Sequence, residues 1–179
     1  EKYKRVLVTW FDWDGPKKKF GNWSFLSPLS VYYFFKLLIV GSKEVVAFVK
    51  KNKINYCLAA WTLPSSLFAY RAHKELNVPY GAWSLGSDLN KYVKFPILRQ
   101  LILVSLNNAQ TLFANSYLLL GKIKQLTGID GKFLPAITDF EKIKTTQVGI
   151  DKKVTNFLFV GRLEKVKGPD ILLVAVEMV

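Results

Sequence analysis

The residues best placed to do chemistry lie near one end of the chain. Gly161-Arg162-Leu163-Glu164-Lys165-Val166-Lys167-Gly168 follows the apolar run Asn156-Phe157-Leu158-Phe159-Val160 and opens a helix-forming stretch. Ligands of open α/β sheets bind at the carboxyl ends of strands, and a helix start there offers free N–H groups and positive dipole potential to a phosphate. Arg162 can add a bidentate contact and Lys167 a point charge on the same anion. The plain alternative is a basic loop facing water. The pattern is neither Gly-x-x-x-x-Gly-Lys-Ser/Thr nor Gly-x-Gly-x-x-Gly, and neither of those occurs anywhere in the sequence.

A second candidate is Gly86-Ser87-Asp88. Glycine lets backbone approach a ligand, and Ser87 and Asp88 carry groups that hydrogen-bond sugar hydroxyls. The competing reading is an ordinary turn in which Asp88 caps the next segment. Asp12 and Asp14, two residues apart beside Gly15-Pro16, read as turn formers and not as an acid/base pair. One cysteine, Cys57, and one histidine, His73, exclude both a disulfide framework and a Cys/His zinc site. His73 reads as a surface residue.

Short apolar runs alternate with helical stretches, which is what must position these groups. Strands are expected at 5–10, 56–60, 79–84, 111–114, 132–134 and 156–160. Helices are expected at 30–53, from Pro64 to Leu76, from Ile97 to Leu106, from the N-cap Ser116 to Gly128, and from Gly168 onward. Such alternation predicts βαβ units and a parallel sheet covered on both faces, an α/β fold. The polar stretch 136–153 reads as a linker. Val31–Val40 is apolar over only ten residues and contains Lys36, short of the roughly 20 residues that a membrane span needs. The sequence starts at Glu1 and stops at Val179, just after the apolar run 171–176, so it reads as cut at both ends.

The segment Phe157 to Asp170 resembles the start of the C-terminal domain of family 4 glycosyltransferases, retaining enzymes of the GT-B fold with two Rossmann-like domains facing across a cleft. Trp61-Thr62-Leu63-Pro64, Asn115-Ser116, Leu126-Thr127-Gly128, Pro135 and Asp139 resemble that family's punctuation upstream. The resemblance implies a partial N-terminal, acceptor-side domain over 1–140, a linker over 141–153 and the start of the nucleotide-sugar-binding domain over 154–179. It implies that Arg162 and Lys167 act in catalysis on the donor diphosphate, with Gly161 and Gly168 in the donor-binding loop. Gly86, Ser87 and Asp88 would line the cleft near the reacting sugar. The family's histidine before that glycine is Leu85 here, so no histidine role is carried over. The family's Gly-rich loop would precede Glu1 and its Glu-x7-Glu motif would follow Val179, so the chain as given is expected to be inactive alone. No paired carboxylates are expected, because the donor phosphate is thought to serve as base. No cofactor is implied beyond the nucleotide-diphosphate-sugar donor, and no metal is required, since two cations can do the work of a divalent ion. The acceptor is expected to be a glycan or a lipid-linked sugar.

The 179 residues carry 26 Lys+Arg against 13 Asp+Glu, a net charge of +13. Residues 1–150 hold +12 of it, from 21 basic and 9 acidic residues. Basic clusters at Lys17-Lys18-Lys19 and Lys50-Lys51-Lys53 flank aromatic stretches such as Tyr32-Tyr33-Phe34-Phe35. Such a face suits an anionic membrane surface, and an ordinary solvated basic face is the competing reading. A cytoplasmic, peripheral location on the inner face of the membrane is the corresponding expectation. A single-stranded nucleic-acid binder would show a similar footprint, but no recognition-helix, RRM, KH or zinc pattern appears, so no nucleic-acid partner is expected. A non-catalytic sugar-nucleotide-binding relative is the other alternative.

Overall fold

The computed structural model describes residues 8–16, 27–136 and 155–178. The chain divides into two compact units, Glu1–Ile137 and Thr138–Val179. The linker expected at 141–153 lies outside the described residues, as do residues 5–7 of the first expected strand. Residues 8–10, the remainder of that strand, have no regular structure.

In the first unit the elements run α1 (Pro28–Lys51), β1 (Cys57–Ala60), α2 (Ser65–Leu76), β2 (Tyr80–Ser84), α3 (Ser87–Asn90), α4 (Pro96–Asn107), β3 (Thr111–Ala114), α5 (Tyr117–Thr127) and β4 (Lys132–Phe133). Helix boundaries follow local chemistry. Pro28 and Pro96 open α1 and α4 at the first turn, where a missing N–H costs nothing. The Ser116 hydroxyl accepts the Leu119 N–H at 3.3 Å, and Gly128 ends α5 in the left-handed region at φ 73°. Asn77 does the same for α2 at φ 56°.

The four strands form one parallel sheet in the order β1-β2-β3-β4, with Cys57 opposite Tyr80, Gly81 opposite Thr111 and Phe113 opposite Lys132. Every step is a parallel crossover in the same direction, so the right-handed rule places all connecting helices on one face. Accordingly α2 packs on β1 and β2, α5 on β3 and β4, and α1 lies against α2. Ala59, Tyr80, Ala82, Leu112 and Ala114 form the strand side of the core, facing Leu63, Leu67, Ile102, Leu106 and Ile123. Alternate residues point the other way: Leu58 is 53% exposed, and Trp83 and Phe113 are half-buried. Tyr56, Leu58 and Phe113 converge over Gly81, where a Cβ would stand 2.8 Å from the Tyr56 oxygen and the Phe113 ring. Among the described residues the sheet is therefore Rossmann-like and parallel but covered by helices on one face, not both as the sequence pattern suggests. The helix expected at 30–53 and those around 64–76, 97–106 and 116–128 all form, within a few residues of their expected ends.

α1 and α2 approach closely at Gly41, where a Cβ would lie 2.6 Å from the Phe68 ring. Alanine normally favours a helix interior over glycine by about 1 kcal/mol. Here the buried ring must yield, and overpacking a core costs about 1–3 kcal/mol. Gly41→Ala is thus expected to lower the melting temperature, and a rise would show that the ring moves freely.

Burial pushes the Cys57 thiol above its ordinary value, and does the same to the Tyr80 and Tyr92 phenols, with the Asp88 charge adding to the effect on Tyr92. The Tyr80 hydroxyl donates to the Ser105 carbonyl in the core. Each of these groups keeps its proton to higher pH in the native state than in the unfolded chain. Stability is then fully present below the unfolded values, which begin at 9.0 for the thiol and 10.0 for the phenols, and is lost as pH rises beyond them. Urea midpoints should hold steady from neutrality to about pH 9 and fall above it. A flat profile through the phenol range would contradict the burial of these groups.

Among the described residues no helix is long and apolar enough to cross a membrane. The described residues of the second unit contain a 3-10 turn, Lys165–Lys167, and α6, Pro169–Glu177. The strand expected at 156–160 does not form: residues 155–160 carry no regular structure. Phe157, Leu158 and Val160 have strand-type side chains, yet a strand exists only with a neighbour to bond, and no other described segment of this unit supplies one.

Candidate functional site

The carboxyl ends of β1 and β2 are locked together by one buried carboxylate. Asp88, 1% exposed, accepts N–H groups from two separate loops. Its Oδ2 takes the Thr62 amide at 3.0 Å and the Leu85 amide at 3.4 Å. Its Oδ1 takes those of Gly86 at 2.9 Å and Leu89 at 3.1 Å. The Thr62 and Ser84 hydroxyls, both buried, lie 2.8 Å apart and close the same junction. Trp61 extends the β1 ladder through its N–H to the Trp83 carbonyl at 2.9 Å, with its backbone at φ 71°, and the Leu63-Pro64 bond is cis. The Trp83 indole N–H reaches the Leu134 carbonyl at 3.0 Å, which anchors the ends of β2 and β4.

This arrangement changes the reading of Gly86-Ser87-Asp88. Asp88 does not offer its oxygens to sugar hydroxyls, contrary to what its residue type suggests: they are occupied by amides and removed from solvent. It positions the loop from behind, close to the turn-capping alternative. Gly86 is required by its backbone, φ 129° and ψ −65°, a region closed to other residues. A side chain there would have room, with only the Asn90 amide within 4 Å, so conformation and not crowding selects glycine. Ser87 alone of the three is exposed and available to a ligand. Thr62 and Ser84 were not singled out by composition or spacing. Their signal was the Trp61–Pro64 segment directly after a strand, opposite another loop holding a short acid.

The basic loop belongs to the second unit. Arg162 and Lys167 are both exposed, as is Gly161. The Arg162 guanidinium pairs with the Glu164 carboxylate at 3.0 Å, with 69% and 48% of the two side chains in solvent. Lys167 ends the 3-10 turn, and Gly168, left-handed at φ 68°, turns the chain into α6. The start of α6 is a weaker anion site than its place in the sequence implies. Pro169 has no N–H, Leu172 already donates to the Gly168 carbonyl, and Asp170 puts a negative charge in the first turn. The two side-chain cations therefore carry most of what this loop offers an anion.

Other candidates resolve as structure. The Asp14 N–H donates to Asp12 Oδ1 at 3.1 Å, an Asx-type turn with Asp14 at φ 50°. Lys36 on α1 donates to both the carbonyl (3.0 Å) and the carboxylate (2.9 Å) of Asp14, and that bond raises the ammonium above its ordinary value. His73 is half-buried and not on the open surface, its Nδ1 3.2 Å from the Val78 carbonyl near the end of α2. Among the described residues no three His, Cys, Asp or Glu side chains gather as a metal site would require. Compared with protein-family models and with curated proteins, the chain matches none of either.

Proposed function

We propose that this chain belongs to a retaining glycosyltransferase of the two-domain GT-B type, which moves a sugar from a nucleotide-diphosphate-sugar donor to a glycan or lipid-linked acceptor. The observation that carries the reading is the loop Gly161–Gly168, which presents Arg162 and Lys167 to solvent immediately before a helix. Two exposed cations on one short loop suit the two phosphates of a leaving nucleoside diphosphate. The parallel, Rossmann-like sheet of the first unit supports the same reading, since its carboxyl edge is where such folds receive ligands.

In the proposed reaction Arg162 and Lys167 offset the charge that grows on the diphosphate as the sugar leaves. Stabilisation of that kind is usually the largest single contribution to catalysis. No metal is needed in this reading, because the side-chain cations occupy the role. Gly86 and Ser87 stand at the acceptor-side edge, with Asp88 holding them in place.

The direct test is equilibrium binding of uridine, guanosine and adenosine diphosphates, followed by the phosphorus resonances of the ligand. Broadening that weakens with salt and disappears in Arg162→Ala and Lys167→Ala is expected for at least one of them. Binding that is absent for all three, or indifferent to both substitutions, would overturn the reading.

A further inference from the structure

The solvent face of α1 is apolar along its first half and basic along its second. Leu29, Tyr32, Phe35 and Ile39 are 61%, 59%, 41% and 58% exposed, although Phe34, Gly41 and Val49 on the opposite side of the same helix are buried. Exposed Lys43 and Lys50 continue the line. At 100° per residue, Leu29, Tyr32, Ile39, Lys43 and Lys50 fall on one stripe, about 32 Å long at the rise of an α-helix. Three exposed large side chains in one row, with Phe35 at its edge, differ from the single apolar residues that every surface shows.

We propose that this stripe is an interfacial membrane contact, with α1 lying in the plane of an anionic lipid surface. Charge complementarity selects the occupant. The chain carries +13, and the stripe carries Lys43 and Lys50, while Lys36 within it is paired with the exposed Asp14 carboxylate and Glu44 lies to its side. A second copy fits poorly: pairing two α1 helices in parallel opposes lysine to lysine, and pairing them antiparallel opposes the lysine half to the apolar half. A bilayer accepts both halves at once. Leu29, Phe35 and Ile39 enter the headgroup boundary, Tyr32 sits with its hydroxyl toward water, and the lysines reach lipid phosphates along their aliphatic stems. With no helix able to cross the bilayer among the described residues, contact is in-plane. This surface stands apart from the glycosyl-transfer reading and survives its failure.

The test is co-sedimentation of the whole chain with vesicles of equimolar phosphatidylglycerol and phosphatidylcholine, and with phosphatidylcholine alone. The parent should partition onto the anionic vesicles, less so as salt rises. Tyr32→Ser with Ile39→Ser, and separately Lys43→Glu with Lys50→Glu, should each lower the partition coefficient by about tenfold or more. Lys91→Glu with Lys94→Glu makes the same charge change off the stripe and should stay within about twofold of the parent. A dye on Ile39→Cys in a Cys57→Ser background should move to an apolar environment on anionic vesicles, which reads the contact without removing it. The proposal is overturned if the parent does not bind, if the stripe variants bind like the parent, if the off-stripe pair loses as much as the on-stripe pair, if the dye does not respond, or if the stripe proves to join two copies without binding lipid.

Discussion

In the complete enzyme, Arg162→Ala should lower donor-dependent sugar transfer by about 10²- to 10³-fold, the range seen when one preorganised donor to a developing anion is removed. In the proposed reaction the loss should fall mainly on kcat, because the negative charge that Arg162 would meet is larger on the departing diphosphate than on the intact donor. Arg162→Lys keeps the charge and loses the fork, so it should recover only part of the rate. Glu164 supplies an internal control. Its carboxylate holds Arg162 at 3.0 Å in the free protein, in an exposed pair worth only about 0–1 kcal/mol. A diphosphate must compete with that carboxylate, so Glu164→Gln should tighten diphosphate binding slightly and leave stability nearly unchanged. Parent-like kinetics in Arg162→Ala would remove this loop from the chemistry altogether.

Asp88→Asn, a nearly isosteric change, should markedly lower the first unit's stability. The aspartate offers four N–H groups two acceptor oxygens, and the asparagine replaces one oxygen with a donor that faces amides already donating. Hydrogen bonds to a charged group are worth about 1.5–3 kcal/mol each, and buried donors left without an acceptor cost about 1–3 kcal/mol. Even with partial relaxation a net loss of about 3 kcal/mol follows, a fall of about 10–20 °C in melting temperature for a unit of this size. Asp88→Glu should fare little better, since the extra methylene has no space in a fully buried junction. Differential scanning calorimetry decides it: a melting temperature for Asp88→Asn within a degree or two of the parent would mean that the junction does not depend on the carboxylate.

Much of the first unit was legible in its sequence, because its signals were local. Proline at helix starts, Ser116 at an N-cap and Gly128 at a helix end each fix a boundary through the residue's own chemistry. What could not be read were the relations between distant segments. Asp88 after Gly-Ser looks like a surface acid, and its burial depends on Thr62, 26 residues earlier, arriving beside it. The one-sided covering of the sheet was hidden for a related reason: Leu58, Trp83 and Phe113 are as apolar as their buried neighbours, so the pattern resembles a strand enclosed on both faces. Residues 156–160 show the opposite case. Their composition meets every local requirement for a strand, but the partner that would complete one is not encoded within them.

The uninterrupted strand order has a consequence for how the unit is made. Partners in the sheet are separated by short, regular intervals: Cys57 meets Tyr80, Gly81 meets Thr111, and Phe113 meets Lys132. Among the described strands none waits for one from the far end of the unit, so loop-closure entropy is met in small instalments. A ribosome delivering this chain supplies β2, β3 and β4 each after the earlier strand it pairs with, and α2 is already available to cover the first pair. Assembly can therefore proceed from β1 to β4 in the order of synthesis, with the Asp88 junction closing as soon as Leu89 has emerged.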